Sequence, residues 1–145
     1  MSKTKKPEGI EPAEYSRLLK GLQILSIWVN GFSAERSGEQ PKLSTPILGK
    51  IKDETSMHMK EDGLAIAKVR YLFNARAEGT RKSFLKIKCE YHLLFETRES
   101  LPEAFFKTYS KTSLPLNVWP YFREFVQSTV TRMNMPPITL PLFKR

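Results

Sequence analysis

The sequence has few of the residues from which disulfides, metal sites and phosphate-binding loops are built. Its 145 residues contain one cysteine, Cys89, and two histidines, His58 and His92. A single cysteine cannot close an intramolecular disulfide, which is typical of a reducing compartment, so the expected location is the cytoplasm. Neither histidine has a second ligand at metal-binding spacing. The seven glycines form neither GxGxxG nor GxxxxGK[ST], so no phosphate-binding loop is predicted.

The groups that could perform catalysis are also sparse. Adjacent carboxylates at 53–54 and 61–62 lie beside turn residues, and neighbouring side chains of an extended chain point apart, so no shared acid–base site is expected. Cys89 falls on the apolar face of its strand and is predicted to be a buried thiol rather than a nucleophile. His92 falls on the polar face, as a solvated or paired imidazole. We therefore predict no enzyme, no catalytic residue, no cofactor and no metal.

Long hydrophobic runs are absent as well. The longest apolar run, 24–29, is interrupted by Ser26 and is far shorter than the about 20 residues that span a bilayer. The first nine residues, MSKTKKPEG, are polar and do not fit a signal sequence. We expect no membrane insertion, a flexible basic tail over 1–9, and a single domain over 10–145.

Charge of one sign is in excess. Lysine and arginine number 24 against 15 aspartates and glutamates, which gives a net charge of +9. Such a balance favours acidic partners, which include nucleic acid, anionic lipid and acidic proteins. Hydrophobic residues make up 40% of the chain, enough for a packed core.

Hydrophobic periodicity predicts strands first and helices after them. A short helix is expected to open at Pro12, a first strand to end near Asn30-Gly31, and a weak strand to lie near 47–55. The clearest pattern is a hairpin, in which alternate positions are apolar from Ala65 to Ala75 and again from Leu85 to Phe95.

Two helices are predicted after the hairpin. Ser100 and Glu103 have the spacing of a capping box, which predicts that the first of them starts there. An apolar stripe of period 3.6 predicts a second helix from Asn117 to Asn134. The fold class that follows is α+β, with one antiparallel sheet covered on one face by helices.

Basic residues gather on the hairpin, and those at even positions of its two strands share the face opposite the apolar one. They are interleaved there with large aliphatic residues, which a plain solvent face seldom carries. Two interpretations stay open, a solvated sheet face and a docking surface for a protein or nucleic acid. The cations are Lys68, Arg70, Arg76, Arg81, Lys82, Lys86 and Lys88, and the aliphatic residues are Leu64, Ile66, Leu72 and Leu94.

The C-terminal segment LNVWPYFREFVQSTVTRMNMPPITLPLF resembles the signature of the SecB export chaperones. The matching residues are Trp119, Pro120, Tyr121, Arg123, Glu124, Ser128, Arg132, Pro136 and Leu140. The resemblance implies a four-stranded antiparallel sheet with helices on one face, and subunits that form dimers or dimers of dimers (homotetramers). It also implies ATP-independent binding of unfolded proteins in apolar grooves, with protein export as the setting.

Candidate site residues follow from this reading. Hydrophobic residues outside the secure core pattern are the candidates for client binding, namely Trp28, Phe32, Leu43, Ile47, Leu48, Met57, Met59, Ile138, Leu140, Leu142 and Phe143. The helix residues of the signature are candidates for an oligomer interface or scaffold, namely Trp119, Tyr121, Phe122, Arg123, Glu124, Phe125 and Val126.

Two features depart from the SecB pattern. SecB chains are acidic, and the resemblance links their acidic sheet face to docking on the SecA motor, so docking on SecA is not expected of a chain with lysines and arginines there. The family also carries a further C-terminal helix beside the client groove, whereas this sequence ends at Arg145, which predicts a more open groove or one completed by a partner.

These departures suit a SecB-like chaperone of a toxin-antitoxin system, so the expected client is an antitoxin or an unfolded preprotein. The alternative is a basic nucleic-acid-binding module, although the basic face lacks the paired aromatics of a stacking platform.

Overall fold

A computed structural model describes residues 9–38, 41–42 and 44–141. Residues 1–8 of the tail predicted over 1–9 lie outside this range, as do three candidate residues, Leu43, Leu142 and Phe143. The elements in chain order are α1 (Pro12–Lys20), β1 (Leu22–Arg36), β2 (Ile47–Met59), β3 (Leu64–Ala77), β4 (Ser83–Thr97), α2 (Glu103–Lys111) and α3 (Ser113–Arg132). None of the helices in the described residues is long and apolar enough to cross a membrane.

The four strands form one antiparallel sheet in the order β1-β4-β3-β2, so β1 and β2 are its edges. The α2 and α3 helices cover one face, which we call the inner face. Tyr71 of β3 stacks on Phe122 of α3 with ring centroids 4.6 Å apart, and Phe95 of β4 meets Tyr109 of α2 edge-on at 5.8 Å. The predicted α+β class with a four-stranded antiparallel sheet is confirmed.

The hairpin prediction is confirmed by the burial of its side chains. Every second residue from Ala65 to Ala75 and from Leu85 to Phe95 is buried on the inner face. The residues between them form the outer face, which none of the described helices covers. Alternation of two residues fixes which side chains share a face, so this part of the fold follows directly from the sequence pattern.

The predicted helix starts are wrong in two places. α2 begins at Glu103 with Pro102 as its extended N-cap and without a side-chain cap bond, so Ser100 forms no capping box. α3 begins at Ser113 rather than Asn117, which places Pro120 inside the helix instead of in its first turn. Pro120 removes one backbone hydrogen bond, and the burial of Val118 and Phe122 against the sheet offsets that loss.

Both edge strands are longer than the sequence predicts. β1 continues to Arg36, and its pairing with β4 shifts register between Val29 and Gly31, so the Asn-Gly pair forms an irregularity within the strand rather than its end. β2 continues to Met59 rather than to residue 55. Pairing with long neighbours extends both strands beyond their own propensity.

Candidate functional site

Most of the exposed large hydrophobic residues of the sheet lie on the edge strand β1. We call them the β1 strip, defined as Ile24, Leu25, Trp28, Val29 and Phe32, whose exposed fractions run from 38% to 66%. β1 pairs with β4 along one side, and no strand among the described residues pairs with its other side. A long apolar strand at a sheet edge is the arrangement that natural proteins avoid unless something binds there.

The β1 strip presents side chains on both faces of the sheet. Trp28 lies in register with His92 on the outer face, and their rings are 5.8 Å apart. Phe32 lies in register with Cys89 on the inner face, where its ring meets Phe125 of α3 at 5.4 Å. Phe32 is nevertheless 66% exposed, the highest value among the large hydrophobic residues described. The strip therefore wraps around an edge that still has hydrogen-bonding capacity.

An extended peptide could use both properties of this edge. The backbone of an incoming strand can form hydrogen bonds along β1, and its apolar side chains can contact the strip. Main-chain pairing is indifferent to side-chain identity, so such binding tolerates many sequences. The arrangement suits capture of an unfolded segment without a shaped pocket.

A second apolar feature lies at the start of β2. Ile47 is exposed and lines a hollow of about 50 Å³ with Phe84, Met135, Pro136 and Ile138. The structure thus brings together two candidates that are distant in the sequence, Ile47 and Ile138. The hollow is small, and Phe84, which lines it, belongs to β4, the strand that pairs with β1.

The remaining candidates for client binding take other positions. Leu48 is exposed on the outer face, in register with Arg76. Met59 is partly buried against the core, whereas Met57 and Leu140 are core residues with 9% and 5% exposed. Met57 and Leu140 present no binding surface in this conformation, so they are not part of the proposed site.

No protein-family model and no curated protein matches the chain. Solved structures do match. A Mycobacterium tuberculosis SecB-like chaperone, Rv1957, in complex with a ChAD peptide from the HigA1 antitoxin, covers 90% of this chain and 96% of its own, with a TM-score of 0.81 and 20% identity. The chain has the SecB-like fold. A protein of unknown function from Streptococcus agalactiae covers 83% of this chain and 97% of its own, with a TM-score of 0.53 and 13% identity.

In this SecB-like fold the signature residues of α3 hold the C-terminal segment. The indole N–H of Trp119 donates a 2.9 Å hydrogen bond to the carbonyl of Pro141, and Nε of Arg123 donates a 2.9 Å bond to the carbonyl of Leu140. Phe122 and Val126 are buried in the core. These four residues therefore stabilise the fold, two by hydrogen bonds to the C-terminal segment and two by burial in the core.

Other signature residues of the SecB-like helix face outward. Tyr121 is 52% exposed and Glu124 is also exposed, while Phe125 is half-buried and reaches Phe32 of the β1 strip. Phe125 thus connects the signature helix to the strip.

Sequence reasoning missed three members of the β1 strip, Ile24, Leu25 and Val29. Their signal is visible afterwards, because 24–29 is apolar on both faces instead of alternating. Such a run is typical of a strand covered on both sides, and here α3 covers only part of one side. β1 therefore carries more apolar side chains than α3 can bury, and the side chains left exposed form the candidate site.

Burial shifts the pKa values of several ionisable groups in the SecB-like core in the direction that disfavours their charged forms. Burial raises the pKa of the Cys89 thiol, which leaves less thiolate at neutral pH. Burial also raises the pKa of Tyr71 and Tyr91 and brings that of Tyr109 to about 12. Among the described residues no three His, Cys, Asp or Glu side chains are placed to hold a metal ion.

Proposed function

We propose that this chain is an ATP-independent chaperone that holds unfolded or aggregation-prone proteins at the β1 strip. The observation that carries the proposal is the exposure of five large hydrophobic residues along an unpaired strand edge. Exposed patches of this kind mark interaction sites, and binding here would make or break no covalent bond. The SecB-like fold supports the proposal, since a solved protein of that fold is a chaperone.

The proposed client is an antitoxin segment. The M. tuberculosis protein of the same fold binds a peptide from an antitoxin, and its structure matches most of this chain. An unfolded preprotein on its way to export is the other client that the fold supports. Either role would be performed in the cytoplasm.

The proposed binding mode assigns separate tasks to backbone and side chains. The client forms main-chain hydrogen bonds with β1, while its hydrophobic side chains contact Phe32 and Val29 beside Phe125. Phe32 contributes most because it combines the largest exposed fraction with a ring that Phe125 already orients.

We also propose that the chain works as a dimer or a dimer of dimers. Two copies could pack outer-face side chains of β1, such as Trp28, against each other, which would bury apolar surface and leave the strand edge and Phe32 free for the client. Native mass spectrometry at micromolar concentration tests this assembly, and a strictly monomeric protein would contradict it.

The chaperone proposal is tested by light scattering of a thermally unfolding client, with and without an equimolar amount of this chain. We expect the wild-type chain to suppress aggregation and Phe32→Ser to lose most of that effect. Tyr121→Ser is the matched control, because it removes an exposed aromatic from α3 instead of β1.

Two results would contradict the proposal. Unchanged client aggregation with the wild-type chain would remove the chaperone function. Equal loss with Phe32→Ser and Tyr121→Ser would remove the β1 strip as its site. The native mass of each variant is measured as well, since a drop in mass for Phe32→Ser alone would assign that residue to assembly instead of client binding.

A further inference from the structure

The outer face of the sheet is divided into zones of different chemistry. Five exposed cations occupy the half that contains the start of β2, the end of β3 and the start of β4. We call this the cationic half-face, defined as Lys50, Lys52, Arg76, Lys86 and Lys88. The opposite half carries Trp28, Ile66 and Leu94 in adjacent rows of the same face.

A ladder of ion pairs crosses the sheet between the two halves. Arg70 donates to Glu54 at 3.0 Å and to Glu90 at 3.1 Å, and Glu90 also contacts Nε2 of His92 at 2.6 Å. In this central row one arginine engages two carboxylates. Glu54 and Glu90 are therefore engaged by Arg70 rather than by the lysines of the cationic half-face.

The lysines of the cationic half-face lack such partners. Among the described residues, none of its four lysines has a carboxylate within ion-pair distance. Arg76 donates to the carbonyl of Thr80. Glu35 lies in register with Lys86, and it is the acidic residue that the pairing places beside this group. The half-face thus keeps a strong excess of positive charge.

The register arranges these lysines as two columns beside a track. Lys52, Leu72 and Lys88 form one row across the sheet, and Lys50, Asn74 and Lys86 form the next. Strands lie about 4.8 Å apart, so the lysine columns of β2 and β4 are separated by about 10 Å. Leu72 and Asn74 are half-buried between them, which leaves a shallow track above β3.

The track opens into a hollow at the end of the sheet. This open hollow has a volume of about 1170 Å³, and Lys42 and Lys82 line it together with Lys50, Arg76 and Lys86. Glu35 and Glu78 also line it, so cations outnumber anions by five to two among its charged residues. The positive surface is therefore concave rather than flat.

The spacing of the lysines along each strand matches the side-chain spacing of an extended peptide. Lysines two residues apart on one strand are separated by about 6.7 Å, which is also the repeat of side chains on one face of an extended chain. A peptide with carboxylates at every second position could face both lysine columns. Leu72 and Leu48 offer apolar contact to the residues between.

The same observations disfavour nucleic acid as the occupant. Sequence-tolerant binding of single strands uses aromatic side chains on which bases stack. The described outward-facing residues of the cationic half-face include no aromatic side chain, and the residues between its lysines are Leu72 and Asn74. Aliphatic contacts beside cations suit a protein segment that mixes acidic and apolar residues.

We propose that the cationic half-face is a docking site for an acidic segment of a partner protein, separate from the β1 strip. The excess of positive charge attracts the acidic segment, and the track above β3 aligns it along the strands. The site does not depend on the proposed chaperone function, because it uses different strands and a different kind of contact.

The test uses fluorescence anisotropy with a labelled acidic peptide of about 12 residues, with Glu at every second position and Ala or Leu between, at ~150 mM salt. Single-stranded and duplex DNA form the second arm. The variant is Lys52→Glu with Lys88→Glu. The matched control is Lys60→Glu with Lys111→Glu, which changes the net charge equally through exposed lysines outside the half-face.

We expect the wild-type chain to bind the peptide and the Lys52/Lys88 variant to bind at least about tenfold more weakly. The control should change affinity by less than about threefold, because screening confines the effect to nearby charges. The Lys52/Lys88 variant should still suppress client aggregation. That result would show that client binding does not require Lys52 or Lys88.

Three outcomes would overturn the inference. Absence of peptide binding by the wild-type chain would remove the docking site. Equal weakening of peptide binding in the variant and the control would show that net charge alone, and not the cationic half-face, determines the affinity. Tighter binding of DNA than of the peptide would make the surface a nucleic-acid site instead.

Discussion

Gly49 offers a sharp test of how the inner face is packed. A Cβ atom at this position would lie 2.7 Å from Cε1 and 3.2 Å from Cζ of Phe73, on the neighbouring strand. Real Cβ contacts do not come that close, so Gly49→Ala must displace the ring. Phe73 is 3% exposed, and its movement would disturb the core around it.

The expected cost follows from two opposing effects. Forcing an extra methyl group into a packed site costs about 1–3 kcal/mol. Replacing a strand glycine by alanine lowers the conformational entropy of the unfolded chain, which stabilises the folded state by about 0.5–1 kcal/mol. We therefore expect Gly49→Ala to lower the free energy of unfolding by about 1–2 kcal/mol, which lowers Tm by about 3–6 °C in a chain of this size.

The assay is urea and thermal unfolding followed by circular dichroism, with Gly31→Ala as the control. Gly31 also lies in an edge strand, but a Cβ atom there would meet nothing within 4 Å, and the φ of Gly31 is not positive. Gly31→Ala should leave stability unchanged or raise it. Adding Phe73→Leu to Gly49→Ala should cost less than the two single changes together. A Gly49→Ala protein as stable as Gly31→Ala would refute this account of the packing.

Three further predictions concern the C-terminal segment, the thiol and the ion-pair ladder. Trp119→Phe removes the bond to the Pro141 carbonyl, so it should cost about 1 kcal/mol and speed proteolysis of that segment; an unchanged cleavage rate would contradict the anchoring role. Because burial raises the pKa of Cys89, the native thiol should react with a disulfide reagent at pH 8 only after unfolding, and rapid native labelling would count against burial. The hydrogen bond from His92 lowers the pKa of Glu90 below its ordinary value of about 4.5, so this carboxylate stabilises the fold above that pH and the contribution is lost on acidification. Glu90→Gln should flatten the fall in urea midpoint on the acid side, and an unaltered pH profile would disprove the coupling.

The two proposed surfaces use different parts of one sheet. The β1 strip offers apolar side chains and a free strand edge, whereas the cationic half-face offers charge over paired strands. A chain with both could hold a hydrophobic segment while it docks on an acidic partner. The aggregation and anisotropy assays measure these activities independently.

Much of the molecule follows from the sequence by itself. Alternating side chains from Ala65 to Ala75 and from Leu85 to Phe95 determine the hairpin and its buried face, because a period of two permits only one assignment. The signature around Trp119 and Arg123 indicates the SecB-like fold, which the structure confirms. The excess of positive charge is set by composition alone.

Only the tertiary structure decides which hydrophobic residues remain accessible. Met57 and Phe32 look alike as exposed candidates in the sequence, yet Met57 is buried in the core and Phe32 lies on an open edge. Both residues lie on edge strands, so the placement of the helices makes this difference: α2 contacts β2, and that contact joins distant segments in a way that local patterns do not encode. Register likewise places Lys52 beside Lys88 across β3, which converts scattered positive charge into a defined surface.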